Sequence, residues 1–145
     1  MSCQYDDFCY AGVLVVQDSG GTIQNSFFDQ NFSKNNGGVI SMFNLQFVSE
    51  IQSSNFTNNE ALKNDGSIYI QRNQGKLKIS IDQCLISNNS AFIGGGIYQD
   101  AAQANQKYVQ NFSIKETKIS QNLAKLAGGR VTYLVKIPYF FQNNY

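Results

Sequence analysis

The chain has 145 residues, roughly one domain's length, with 11 basic against 10 acidic groups, one Pro, 12 Gly and neither His nor Trp. Its polar surface is built instead from 17 Asn, 15 Gln and 14 Ser. Without His there is no Ser/His or Cys/His nucleophile pair, no His proton shuttle and no His-containing zinc site. A net charge of +1, with Lys115, Lys118 and Lys125 widely spaced, offers no cationic stripe for nucleic acid.

Residues 1–10 carry Asp6 and Asp7 where a secretory signal has positive charge followed by an apolar stretch, so no targeting signal is visible there. They are expected to be irregular. Cys3 and Cys9 are the only close cysteine couple, and with three Cys in all the redox compartment stays open. The longest purely apolar run, residues 13–16, is far short of the roughly 20 residues that cross a bilayer.

From residue 11 to 133 the chain repeats itself. Residues 23–38, 51–66, 81–96 and 114–129 align without gaps. Their apolar columns are Ile23, Ile51, Ile81, Ile114 and Phe28, Phe56, Ile86, Ile119. Between these runs a small column, Ser26, Ser54, Cys84, Thr117. An invariant column of Asn31, Asn59, Asn89 and Asn122 follows, then small Ser33, Ala61, Ala91 and Ala124. Each unit closes on Gly37, Asp65, Gly95, Gly128 and then Gly38, Gly66, Gly96, Gly129, with Gly94 in place of Gly95 if that turn is shortened. Ala11-Gly12 before Val13 and Leu14 fits the end of a preceding partial unit.

Within a unit, apolar and polar residues alternate with period two and no 3.6-residue stripe appears, which predicts strands rather than helices. β-branched and Phe residues suit those strands, while Gly-Gly and Asn-Asn pairs suit tight corners. Equal residues recurring once per unit are accommodated by a coil whose turns stack about 4.8 Å apart, a parallel β-helix. The fold class expected is therefore all-β, a solenoid of four to five rungs. In that coil the Asn column becomes a ladder, each amide donating to one neighbour and accepting from the other.

Later rungs are longer, and the extra residues are expected to leave the coil as loops at residues 72–75 and 99–110. Residues 134–145, with Pro138, read as a tail or an incomplete rung.

The strings Phe56-Thr57-Asn58-Asn59-Glu60-Ala61 with Asp65-Gly66-Ser67-Ile68-Tyr69, and Ile86-Ser87-Asn88-Asn89-Ser90-Ala91 with Gly94-Gly95-Gly96-Ile97-Tyr98, resemble the polymorphic outer-membrane protein repeat. Phe28 with Asn31 and Gly37-Gly38-Val39-Ile40 are similar to it as well. The Asn/Gln richness resembles the large β-helix surface proteins of ciliate protists. The resemblance implies a right-handed, pectin-lyase-like β-helix in a cell-surface, membrane-associated or secreted protein, with a structural or adhesive role. Asp65, Arg130 and Ile119 depart from the repeat.

Some β-helix proteins act on polysaccharides, which requires carboxylates clustered on adjacent rungs. Here they do not stack: Asp29 shares its column with Thr57, Ser87 and Ser120, and Asp82 with Gln24, Gln52 and Lys115. No catalytic, cofactor or metal-binding residue is therefore assigned. Gly94-Gly95-Gly96 with Asp100 lacks the fourth Gly of a calcium nonapeptide, since Ile97 stands there. The expected function is a non-enzymatic spacer or adhesive module; the alternative is a carbohydrate-binding, or degraded carbohydrate-active, domain using exposed Tyr69 and Tyr98. Expected partners are a cell-surface glycan or protein, or a further stretch of solenoid joined end to end. Four glycosylation acceptors occur, at Asn31, Asn55, Asn88 and Asn111, of which Asn31 should be shielded and Asn111 accessible.

Overall fold

A computed structural model gives the fold and describes residues 2–3, 11–71, 78–100, 111–127 and 131–134. Among them the regular elements are all strands. A partial coil holds β1 (Ser2–Cys3) and β2 (Leu14–Gln17). Next come β3 (Gly21–Gln24), β4 (Phe27–Asp29), β5 (Phe32–Ser33) and β6 (Ile40–Phe43). The following coil is β7 (Ser49–Gln52), β8 (Asn55–Thr57), β9 (Glu60–Ala61) and β10 (Ile68–Gln71). It is succeeded by β11 (Lys78–Asp82), β12 (Leu85–Ser87), β13 (Ser90–Ile93) and β14 (Ile97–Asp100). The last holds β15 (Asn111–Lys115), β16 (Lys118–Ser120), β17 (Leu123–Ala127) and β18 (Val131–Leu134).

Each strand pairs in parallel with its counterparts in the coils before and after, giving four sheets. Sheet I is β3-β7-β11-β15, sheet II β4-β8-β12-β16, sheet III β1-β5-β9-β13-β17 and sheet IV β2-β6-β10-β14-β18. The chain visits the sheets in turn, so it is a parallel β-solenoid making three full turns between β3 and β15. The depth of four or five strands is the one the repeat predicts. Ser2 and Cys3 pair with Phe32 and Ser33 and add a strand to sheet III, and the remainder of the segment 1–10 lies outside the described residues. Pairing with β14 likewise carries the coil through Leu134.

The sequence columns are spatial columns. Ile23 opposes Ile51, Ile51 opposes Ile81 and Ile81 opposes Ile114. Phe28, Phe56, Ile86 and Ile119 are stacked the same way, with the two Phe rings parallel at 4.9 Å. Ile51, Phe56, Ile81 and Ile86 are completely shielded, whereas Ile23, Phe28, Ile114 and Ile119 are half-buried, because their strands are outermost in sheets I and II. Each fully buried Phe or Ile stabilises the coil by about 1.5–3 kcal/mol, so the middle of the stack holds most of the core energy.

Corners between sheets share one device, a residue in the left-handed region. Between sheets I and II it is Asn25, Ser53, Gln83 and Glu116, and between II and III it is Gln30, Asn58, Asn88 and Gln121. Between III and IV it is Gly37, Asp65 and Gly94, and between IV and I it is Asp18 and Asn44. Asn and Asp tolerate this conformation, but for Ser53, Gln83 and Glu116 no local preference announces it.

The shortened turn is the one adopted in the third coil. Residues 60–64 oppose residues 90–93, so one residue fewer runs through sheet III there. The corner columns are consequently Gly37-Asp65-Gly94 and Gly38-Gly66-Gly95, and Gly96 falls opposite Ser67. The second column requires Gly for lack of space: a Cβ on Gly66 would lie 2.2 Å from the Gly95 carbonyl oxygen, and one on Gly38 2.1 Å from that of Gly66.

Gln99, expected to begin an exposed excursion, is instead 2% exposed in β14, where its register opposite Ile70 places it in an interior column. Asp100 continues β14, while residues 101–110 of that excursion, the loop at 72–75, the Cys3 to Cys9 pairing and the tail beyond Leu134 lie outside the described residues.

Candidate functional site

The axial column of asparagines is the most elaborate polar assembly in the described structure. The alternation that points Phe28, Phe56 and Ile86 inward is interrupted by the left-handed residue after each strand, and the Asn that follows is turned inward too. Asn31 Nδ2 donates to Asn59 Oδ1 at 2.9 Å, Asn59 Nδ2 to Asn89 Oδ1 at 2.8 Å, and Asn89 Nδ2 to Asn122 Oδ1 at 2.9 Å. The same oxygens accept the backbone N–H groups of Asn31, Asn59 and Asn89 at 2.9, 3.0 and 3.0 Å. The second hydrogen on Nδ2 of Asn59, Asn89 and Asn122 reaches back to the carbonyls of Phe28, Phe56 and Ile86 at 3.2, 3.0 and 2.9 Å.

For Asn59 and Asn89 this engages both amide hydrogens and both acceptor directions, the full capacity of the group. Both are completely buried. The amide-to-amide bonds have a direction: Asn31, Asn59 and Asn89 each donate to the asparagine of the next, C-terminal coil, while the second hydrogen of Asn59, Asn89 and Asn122 goes back to a backbone carbonyl of the coil before.

A second ladder runs at the corner between sheets I and II, in the column expected only to be small. Hydroxyls of Ser26, Ser54 and Thr117 donate to the carbonyls two residues earlier at 2.8, 2.7 and 2.7 Å. The Cys84 thiol does the same to Asp82 at 3.2 Å. In return, the backbone N–H of Ser26 donates to Ser54 Oγ at 3.1 Å, that of Ser54 to the Cys84 sulfur, and that of Cys84 to Thr117 Oγ1 at 3.2 Å. Burial pushes the Cys84 thiol above its ordinary pKa, and the backbone donors only partly offset this. Packed thus, it is a hydrogen-bonding member of the corner rather than an activated nucleophile.

Elsewhere, polar side chains also bond to column-mates or to their immediate neighbours. Thr57 Oγ1 and Asn58 Nδ2 both donate to Asp29 Oδ1 at 2.7 Å, which holds that carboxyl below its ordinary pKa. Asn64 Nδ2 donates to Asn36 Oδ1 at 3.1 Å, Gln83 Nε2 to Glu116 Oε2 at 3.1 Å, and Asn44 Nδ2 to Asp18. Among the described residues no three Asp, Glu, Cys or His side chains converge.

Asp65 departs from this pattern at both of its carboxyl oxygens. Its side chain is completely buried and neither carboxyl oxygen has a hydrogen-bond partner. Its column-mates are Gly37 and Gly94, which have no side chains to offer, and its carboxyl sits where a Cβ on Gly94 would lie 2.8 Å from Oδ1. Burial alone pushes its pKa well above the ordinary Asp value. The sequence marks Asp65 as a break in the Gly pair, but not its burial.

The two tyrosines expected to be exposed are not. Tyr69 and Tyr98 are 5% and 6% exposed, their rings stacked at 5.8 Å and 6° in adjacent coils of sheet IV. With their faces occupied by each other, they form no open aromatic platform for a sugar. Of the glycosylation acceptors, Asn31 is buried in the ladder and Asn55 half-buried, while Asn88 and Asn111 are exposed. Among the described residues there is no helix long and apolar enough to cross a membrane. Comparison of the chain with protein-family models, curated proteins and solved structures finds no match.

Proposed function

We propose that the chain is a non-enzymatic β-helix module of a cell-surface or secreted protein, serving as a stiff spacer or adhesive element. In this reading the coil is right-handed and pectin-lyase-like, the hand that parallel crossovers take in about 98% of cases. The observation that carries the proposal is the amide ladder, in which Asn59 and Asn89 commit every hydrogen-bonding position to neighbouring coils. Such a column resists shear between coils along the whole axis, which suits a spacer.

An antibody raised against the chain tests the reading. Labelling of intact, unpermeabilised source cells, abolished by protease treatment of the cell exterior, is the expected result. Labelling that appears only after permeabilisation, with none in the medium, would refute it.

A further inference from the structure

The outer surface of sheet III is unlike the rest of the solenoid. In its strands Ala61 and Ala91 point inward and are buried, so their neighbours point out. Leu62, Phe92, Leu123 and Leu126 lie on successive coils of that surface and are 46% to 65% exposed. The irregularity between Ala91 and Ile93 brings Phe92 level with Leu62 and Lys63 on one side and Lys125 and Leu126 on the other. Lys34 follows β5 at the level of Leu62, whose backbone N–H donates to Ser33. The cations Lys34, Lys63 and Lys125 thus border an apolar centre, with Glu60 the single acidic residue beside them among the described residues, 3.8 Å from Lys125. From β5 to β17 the strip is about 14 Å long at the usual strand spacing.

We propose that this face is a docking surface for an anionic lipid bilayer, the leucines and Phe92 entering the interface and the lysines meeting the headgroups. Four large exposed apolar side chains on one sheet mark an interaction surface. Three lysines against one glutamate set the sign of the partner. A second copy of the same face would oppose lysines to lysines, which disfavours it. The strip is the outer face of a β-sheet, and a bilayer interface, unlike a folded acidic protein, requires no complementary relief. The other large apolar side chains exposed among the described residues, Val13, Val15, Phe27, Phe47 and Val48, belong to the N-terminal coils, where the charged residues nearest in sequence are Asp18, Asp29 and Glu50.

Flotation of the full chain with phosphatidylcholine vesicles, with and without phosphatidylserine, tests this. Binding is expected with phosphatidylserine, weakened by salt and by its omission. Lys34→Gln and Lys63→Gln should each weaken it about fivefold. Phe92→Gln with Leu126→Gln should weaken it about tenfold or more, while Phe27→Gln with Phe47→Gln leaves it unchanged. All these positions are partly or well exposed, so unchanged melting temperatures separate lost binding from lost fold. The proposal is overturned if phosphatidylserine vesicles do not bind the chain, or if the Phe27/Phe47 pair matters equally. It is also overturned if soluble polyglutamate binds as well as the vesicles do, or if the chain is a dimer that the Phe92/Leu126 pair dissociates.

Discussion

At the corner between sheets II and III every full coil carries an inward Asn, and the two in the middle of the column are fully hydrogen-bonded. One corner further on, between sheets III and IV, Asp65 stands between Gly37 and Gly94, and neither oxygen of its carboxyl has a hydrogen-bond partner. Both side chains are buried to the same degree. What separates them is repetition. In a solenoid the nearest groups to any side chain are its own column-mates, so a polar residue repeated in every coil supplies its own partners and a solitary one is stranded.

The sharpest test of that contrast breaks the repeated column at different heights. Asn59→Leu removes the acceptor of both the backbone N–H and Nδ2 of Asn31, two buried donors at about 1–3 kcal/mol each, so a loss of about 2–6 kcal/mol is expected. Asn122→Leu orphans the corresponding donors of Asn89 and should cost as much despite lying in the last coil. Asn31→Leu leaves its backbone N–H on Asn59 and orphans no donor among the described groups, so about 1 kcal/mol is expected. Denaturant titration of the three variants reads the asymmetry; equal losses would mean the ladder has no direction.

The neighbouring glycine column comes next. A Cβ at Gly66 would lie 2.2 Å from the Gly95 oxygen and 2.5 Å from the Ser90 nitrogen, both backbone atoms of the next coil. Gly66→Ala therefore has to push two coils apart, and a loss of about 3 kcal/mol is expected in the same titration.

Asp65 should respond in the opposite direction. Asp65→Gly restores the residue that its column-mates carry and removes an unpartnered carboxyl, so the chain should gain about 1–3 kcal/mol at neutral pH. The pH dependence has a definite sign. Because burial raises the folded-state pKa, the folded chain holds a proton that the unfolded chain releases. Stability from this site is thus complete below the unfolded value and is lost as pH rises toward the folded one. Asp29, lowered by Thr57 and Asn58, works the other way and loses its contribution as pH falls. Melting temperatures at about pH 4 and about pH 8 should fall more steeply for the natural chain than for Asp65→Gly. Parallel trends in the two chains would place the titration elsewhere.

The coil itself was legible because a solenoid writes its contacts into the sequence at a fixed offset. Ile23, Ile51, Ile81 and Ile114 could be aligned by eye, and alignment in sequence is alignment in space. The Asn ladder was legible for the same reason. Direction was not, since Tyr69 and Tyr98 alternate with interior Ile68 and Ile97 and so read as exposed, yet both are buried. Corners were legible only where Gly marks them: the left-handed Ser53, Gln83 and Glu116 have no local signature and are held by the coils they join. Gly94, Gly95 and Gly96 left two registers open, and a one-residue shortening through sheet III decided between them.

The corner ladder of Ser26, Ser54, Cys84 and Thr117 poses the smallest test and separates two meanings of a small column. If the column were only packing, Cys84→Ala and Cys84→Ser would differ little. If it is a chain of hydrogen bonds, Ser keeps two of the thiol's partners, the Asp82 carbonyl and the Ser54 N–H, and should lie within about 0.5 kcal/mol of the natural chain. Ala leaves the Ser54 N–H without an acceptor and should cost about 1–3 kcal/mol. Thiol chemistry gives an independent reading of the same site. Burial keeps Cys84 protonated, so alkylation of Cys84, read separately from Cys3 and Cys9 by peptide mapping, should be slow in the folded chain and accelerate with denaturant along the unfolding curve. Fast alkylation of Cys84 in the folded chain would show that the corner opens on its own, and the second ladder would then hold the coils only when closed.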